Sequence, residues 1–236
     1  MNNLRKFSTE ADYSAATLNY PAVSWVTSTD NVYFNKTEPT PTMNGDIKAT
    51  YSVTGTSQPM ILINQEGSGS GSGSGGAAFT PTQMWVDGVE VTPSASYTFS
   101  TTGNHIVEFE LGDGVNSIPQ NAFGDGGSGI NSLISVEIGN DITSIGDSAF
   151  RNCGFLTSCT ISSGVTYIGE SAFNCIDLAS ITCYALTPPT LGMDVFSDSP
   201  IGWGSGIIYV PSASVSTYQN NRYWTDYSSQ IQAIQE

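Results

Sequence analysis

A catalytic centre in this chain would have to be built from few parts. His105 is the single histidine, and no serine sits in a GxSxG elbow, so a Ser–His–Asp line lacks the turn that presents its nucleophile. His105 stands at a turn before a strand and reads as surface or cap packing rather than as a base. The four cysteines, Cys153, Cys159, Cys175 and Cys183, form no CxxC pair and lie far from His105 in sequence, which argues against a metal site. Asp113-Gly114 and the Gly-Asp-Gly-Gly of 124–127 match neither an EF-hand nor a nonapeptide calcium repeat, and read as turns. Glu108, Glu110 and Glu137 come nearest to the carboxylate pair of a glycoside hydrolase. The expectation is a protein without catalytic residues, cofactor or metal.

What positions those carboxylates is a repeat. Phe109, Leu111, Val115, Ile118, Ala122 and Phe123 recur as Val136, Ile138, Ile142, Ile145, Ala149 and Phe150. They recur again as Cys159, Ile161, Val165, Ile168, Ala172 and Phe173, with the same steps of +2, +4, +3, +4 and +1. A degraded fourth copy runs from Ile181 and Cys183 to Val195 and Phe196. Successive Phe positions lie 27, 23 and 23 residues apart. A period in the twenties marks a solenoid, in which one unit cannot bury its apolar face until a neighbour stacks on it.

Side chains alternate along a strand, so the residues between the inward ones face out. Stacking in register then predicts one outward column of Glu110, Glu137, Thr160 and Thr182, and a neighbouring column of Glu108, Ser135, Ser158 and Ser180. Tyr184 is the one aromatic expected beside them. This polar strip reads as a solubilising surface or as a ligand-binding sheet face. Cys159 and Cys183 take inward positions, so a ladder of buried thiols is expected. A Cys153–Cys175 disulfide between neighbouring coils is the alternative.

The words ITSIGDSAFRNCGFL (142–156) and VTYIGESAFNCIDL (165–178), with VNSIPQNAF (115–123), resemble the BspA-like leucine-rich repeat family. The first copy departs from the others in Pro119, where later copies have Gly146 and Gly169. The resemblance implies a fold more than an activity, because solenoids serve as binding platforms and spacers. The chain is expected to be mainly β: a BspA-like solenoid with a hairpin N-terminal cap and a strand–helix C-terminal cap, plus a small β-rich N-terminal docking module.

The expected order is a docking module over 1–66, a Gly/Ser linker over 67–76 and the repeat domain over 77–236. That domain divides into cap hairpins (77–105), repeats (106–196) and a C-terminal cap (197–236). In the first module, 4–20 suggests a short amphipathic helix, 19–36 a hairpin turning at Thr29-Asp30-Asn31, and 46–55 and 59–65 two further strands. GSGSGSGSGG reads as a natural hinge or an engineered join between two separate bodies, with a mean reach of about 15–20 Å. Asp87-Gly88 marks a hairpin between MWV and VEV. At the far end IIYVP (207–211) is a strand, Ser212 is placed to cap a short helix, and Tyr218, Tyr223 and Trp224 read as cap core. The run from Tyr209 to Ile231 also resembles the closing segment that follows BspA-like repeats.

Only 11% of the 236 residues are charged, yet the net charge is −15. Phosphates and anionic lipid surfaces would be repelled, so neither nucleic acid nor membrane insertion is expected. No run of 18 apolar residues exists, and MNNLRKFSTEADYS lacks the apolar core of an export signal. ATLNYPAVSWVTSTDNVYFNK (16–36) resembles N-terminal segments of structural proteins from tailed phages of gut Bacteroidetes. That resemblance implies a virion protein (head fibre, decoration or tail-associated) released by lysis. Residues 1–66 would dock on other virion proteins, and the repeats would meet a bacterial surface protein or glycan. Phage fibres and decoration proteins are symmetric oligomers, so a homo-oligomer is expected, a trimer by analogy. A bacterial cell-surface adhesin fragment is the alternative. A carbohydrate-active enzyme ranks third for want of an acid/base constellation.

Overall fold

The computed structural model describes residues 6–7, 27–28, 31–33, 46–63, 81–124 and 132–235. The chain divides into two compact units, Met1–Met43 and Asn44–Glu236. In the first unit three strands are described: β1 (Lys6–Phe7), β2 (Thr27–Ser28) and β3 (Asn31–Tyr33). β3 is central and antiparallel to both. The β2–β3 pair is the hairpin read from the sequence, with Asn31 in the strand facing Ser28 rather than in the turn. The helix expected over 4–20 lies outside the described residues except at Lys6 and Phe7. Those two are extended and pair with Tyr33 and Val32, which takes up the backbone groups a helical turn would need.

The second unit begins well before residue 77. Its strands are β4 (Ile47–Val53), β5 (Met60–Ile61), β6 (Gln83–Val86), β7 (Val89–Val91), β8 (Ser96–Tyr97) and β9 (Gly103–Glu110). Then follow β10 (Ser117–Ile118), β11 (Leu133–Ile138), β12 (Ser144–Ile145), β13 (Ser158–Ile161), β14 (Tyr167–Ile168), β15 (Ser180–Cys183) and β16 (Thr190–Leu191). The unit ends with β17 (Ile207–Val210), the short helix α1 (Val215–Gln219) and β18 (Ile231–Ala233). One sheet of nine strands runs β7-β6-β9-β4-β11-β13-β15-β17-β18, and a second of four runs β10-β12-β14-β16. β5 and β8 pair with each other. From β11 to β18 every neighbouring pair in the large sheet is parallel, as stacked coils require.

The expected module boundary at residue 66 is therefore corrected. β4 and β5 form where the sequence places strands, but inside the repeat unit. The reason is apolar area. Ile47, Ala49, Tyr51 and Val53 alternate along β4, all are buried, and the solenoid supplies the core that a small module could not. The Gly/Ser stretch lies outside the described residues, but both its flanks belong to one unit, so it does not join two separate bodies.

Two devices hold the coils at strand spacing. The first is a column of rings: Phe123 on Phe150 at 4.9 Å, Phe150 on Phe173 at 5.1 Å and Phe173 on Phe196 at 6.0 Å between centroids, all stacked and fully buried. The second is the corner after each small strand. Gly146, Gly169 and Gly192 approach the preceding coil so closely that a Cβ would lie 2.6, 2.5 and 2.5 Å from its backbone nitrogen. Nearby, Asn121, Ser148, Ser171 and Asp194 all turn with φ between 53° and 58°. Three of these corners donate their N–H to the next coil, as Ser148 does to the Glu170 carbonyl at 2.8 Å.

The thiols serve the same stacking. All four cysteines are buried and none is in a disulfide, so the Cys153–Cys175 bridge does not form. Cys153 Sγ donates to the Phe123 carbonyl and Cys175 Sγ to the Phe150 carbonyl, each in the preceding coil, at 3.1 and 2.9 Å.

Both ends are closed. At the N-terminal side Asp87 and Gly88 form the hairpin turn with φ 51° and 78°. His105 packs beneath it, its ring tilted against Phe99 with 4.7 Å between centroids, and Nδ1 2.7 Å from Asp87 Oδ2. At the C-terminal side Tyr218 and Trp224 are fully buried, and Trp224 Nε1 donates to the Pro189 carbonyl at 2.7 Å. Ser212 does not cap the helix. It opens a 3-10 turn, Ser212–Ser214, without a side-chain cap bond, and Ser214 Oγ instead donates to the Leu186 carbonyl at 3.0 Å. β18, not foreseen as a strand, covers the last edge by pairing with β17.

The close corner makes a sharp prediction. Gly169→Ala should destabilise the unit by about 1–3 kcal/mol, because backbone rather than a movable side chain must give way. Gly154→Ala, where a Cβ meets nothing within 4 Å, should leave the melting temperature unchanged. Equal melting temperatures for the two variants would contradict this stacking.

Candidate binding face

The outer face of the large sheet carries one continuous cross-strand row. From the N-terminal edge it reads Glu90, Trp85, Glu108, Lys48, Glu137, Thr160, Thr182, Tyr209 and Gln232. Eight strand spacings give it a length of about 38 Å. Beside it runs Ile106, Thr50, Ser135, Ser158, Ser180 and Ile207.

The columns read from the sequence are right in the parallel stack and wrong at its start. Glu137, Thr160 and Thr182 share a row, as do Ser135, Ser158 and Ser180. Glu108 takes the place expected for Glu110, Ile106 takes the place expected for Glu108, and Glu110 falls outside both rows. The cause is β4, which lies antiparallel between β9 and β11. Through it Val107 aligns with Val136 and Phe109 with Ile138, a slip of two residues from the repeat alignment. An even slip keeps inward residues inward and moves every outward residue by one row. The extra length is absorbed between β9 and β10, where Gly112 and Gly114 turn with φ 84° and 81°. Beyond that turn β10 and β12 pair directly, Ile118 with Ile145, as the repeat alignment requires.

So Glu108, not Glu110, joins the row, and Lys48 separates it from Glu137. Lys48 Nζ donates to Glu137 Oε1 at 2.9 Å. Both side chains keep about a quarter of their surface exposed, so the pair contributes roughly 0–1 kcal/mol and acts mainly to set charge order along the row. Glu108 is only 7% exposed although it faces outward, packed between the Trp85 and Lys48 strands. Among the described residues, Glu137 Oε2 is buried without a hydrogen-bond partner.

Glu110 stands in a different setting, at the corner where β4 and β9 meet. Burial raises its carboxyl above the ordinary value, and the charges of Asp46, Asp141 and Asp113 raise it further. Burial likewise raises Asp46; the hydrogen bond from the Leu111 N–H, at 2.8 Å, pulls it down, and Asp141 pushes it up again. Among the described residues no three His, Cys, Asp or Glu side chains are grouped to hold a metal ion. His105 Nε2 lies 3.3 Å from Thr101 Oγ1 and 3.1 Å from the Thr101 carbonyl. Burial would raise Asp87, but the hydrogen bonds from His105 and the Ile106 N–H, with the His105 charge, hold it below its ordinary value. The His105 ring thus ties the hairpin turn to β9.

Among the members of the face that sequence reasoning missed are Trp85, Lys48 and Tyr209. The alternation was visible for each, since Met84 and Val86, Ile47 and Ala49, and Ile208 and Val210 point inward. Which row each would join depends on strand order, and local periodicity does not encode that. Tyr184, expected beside the columns, is exposed just past the end of β15. The face therefore offers hydroxyls, paired carboxylates and a lysine between two aromatic side chains, a surface able to hold a ligand by hydrogen bonds and flat apolar contact. Among the described residues no helix is long and apolar enough to cross a membrane.

No curated protein matches this sequence. The family model for the BspA type leucine rich repeat region matches residues 93–213, from the cap hairpins through the first turn after β17. With just over half of its length matched over the stacked coils, the chain belongs to the BspA-type leucine-rich repeat family.

Proposed function

We propose that this chain is a binding module for surface adhesion, working through the outer face of its large sheet. The observation that carries this reading is the unbroken row from Trp85 to Tyr209, set on a rigid stack and rimmed by aromatic side chains. Solenoids of this kind typically serve binding or adhesion, and repeats of this type occur in surface-exposed proteins. The ligand in this proposal is a bacterial surface protein or glycan. Replacing Thr160 and Thr182 together by Arg puts two bulky cations on the face while leaving inward residues alone. Flow cytometry of labelled chain on candidate host cells should show binding reduced at least tenfold, by loss of about 1.4 kcal/mol or more. Unchanged binding by a variant of normal melting temperature would remove the face from the proposal.

The finer reading is that the module is displayed on a tailed-phage virion as a head fibre, decoration or tail-associated protein. Its support is the wording of residues 16–36, together with the separate N-terminal unit that carries them. That unit would dock on other virion proteins, in a homo-oligomer. The second reading, a bacterial cell-surface adhesin, rests on the surface setting of such repeats. Mass spectrometry of purified particles and of host envelopes from one culture separates the two. Many copies per particle of the peptide from Phe7 to Lys36 is the result expected for a virion protein. Recovery only from the envelope would sink that reading and leave the adhesin.

A further inference from the structure

The large sheet contains a strand that its own coil order does not call for. In the small sheet β10 and β12 pair directly, so the first two coils are neighbours there. In the large sheet the same coils stand two strand spacings apart, with β4 filling the gap. All seven residues of β4 pair with β9, from Ile47–Phe109 to Val53–Gly103, and most of the other edge pairs with β11. Ile47, Ala49, Tyr51 and Val53 fill the core beneath. The stretch that follows docks with it. Tyr51 Oη donates to the Leu62 carbonyl at 2.9 Å, and Leu62 and Ile63 are buried with their N–H groups on the Ala95 carbonyl at 2.8 and 3.2 Å.

We propose that residues 46–63 are an exchangeable segment, and that the slot between β9 and β11 takes the same segment from a second copy of this chain. The slot is selective for this one sequence. It presents Glu108 and Glu137 in one row, and Lys48 is the cation placed between them. It presents the Leu111 N–H at its end, and Asp46 Oδ2 accepts it. Its inner side takes the Ile-Ala-Tyr-Val alternation, which a slip of one residue would turn outward. None of these contacts depends on which copy supplies the strand. In sequence the segment is followed by GSGSGSGSGG and then by β6, β7 and β8 before β9, the slot's first wall. Attachment within one chain sets an effective concentration on the order of millimolar. In dilute solution each copy therefore fills its own slot. Where copies are crowded to comparable local density, reciprocal donation gives a dimer with the same contacts and no new surface.

The test uses the full chain. Ser52 and Asn104 face each other across β4 and β9, one half-buried and the other exposed. A size-tagged Ser52→Cys chain and an untagged Asn104→Cys chain are mixed, unfolded in denaturant, refolded near millimolar concentration and oxidised. The Ser52→Cys/Asn104→Cys double variant and a mixture of unsubstituted chains are carried in parallel. The expected result is a disulfide-linked species of the mixed mass, severalfold above the unsubstituted mixture, and falling away as the refolding concentration is lowered. The double variant should close within one chain. Closure of the double variant with no mixed species above background would overturn exchange. Failure of the double variant to close would overturn the slot itself.

Discussion

Everything in the repeat unit follows from one distance. Stacked coils must sit one strand spacing apart, because each buries its apolar face only against its neighbours. The Phe123–Phe150–Phe173–Phe196 column fills the space between them, and Gly146, Gly169 and Gly192 let the corners close to that distance. The thiols of Cys153 and Cys175 reach carbonyls of the preceding coil, which is why small buried donors stand there. The caps answer the same constraint from outside. A stack has two apolar ends, and the β6–β7 hairpin and the Tyr218–Trp224 cluster cover them.

β4 breaks that regularity at one place and shapes the candidate face by doing so. It separates β9 from β11 and shifts the register between them by two residues. Two consequences follow for the chemistry. Glu108 and Glu137, which direct stacking would have put in different rows, fall in line with Lys48 between them. Glu110 is displaced to a corner where burial, and then the charges of Asp46, Asp141 and Asp113, raise its carboxyl above the ordinary value. A carboxylate pair of the kind a glycoside hydrolase uses is thus replaced along the row by an alternation of charges.

Much of this was legible in the chain. Identical spacings from Val136 to Phe150 and from Cys159 to Phe173 specify the stack, because a ring column tolerates no change of register. Asp87-Gly88 announced its hairpin, and Trp224 announced a cap core. The insertion of β4 was not legible. Its alternation says that one face is buried, but not against what, and its partners lie beyond an insertion of Gly and Ser. For the same reason Lys48 could not be placed beside Glu137, although each was plainly outward-facing. The Ser212 cap failed for a local reason: the chain turns first through a 3-10 segment, and Ser214 finds a carbonyl in another coil.

The claim on which the rest turns is that β4 is an interior strand of the repeat sheet. Hydrogen exchange read by mass spectrometry on the intact chain addresses it directly. Amides of 47–53, bonded to β9 on one edge and β11 on the other, should exchange as slowly as those of β13 and β15, through opening of the whole unit. Exchange of 47–53 within seconds, while β13 and β15 stay protected, would place the strand outside the sheet and return Glu108 and Glu137 to separate rows.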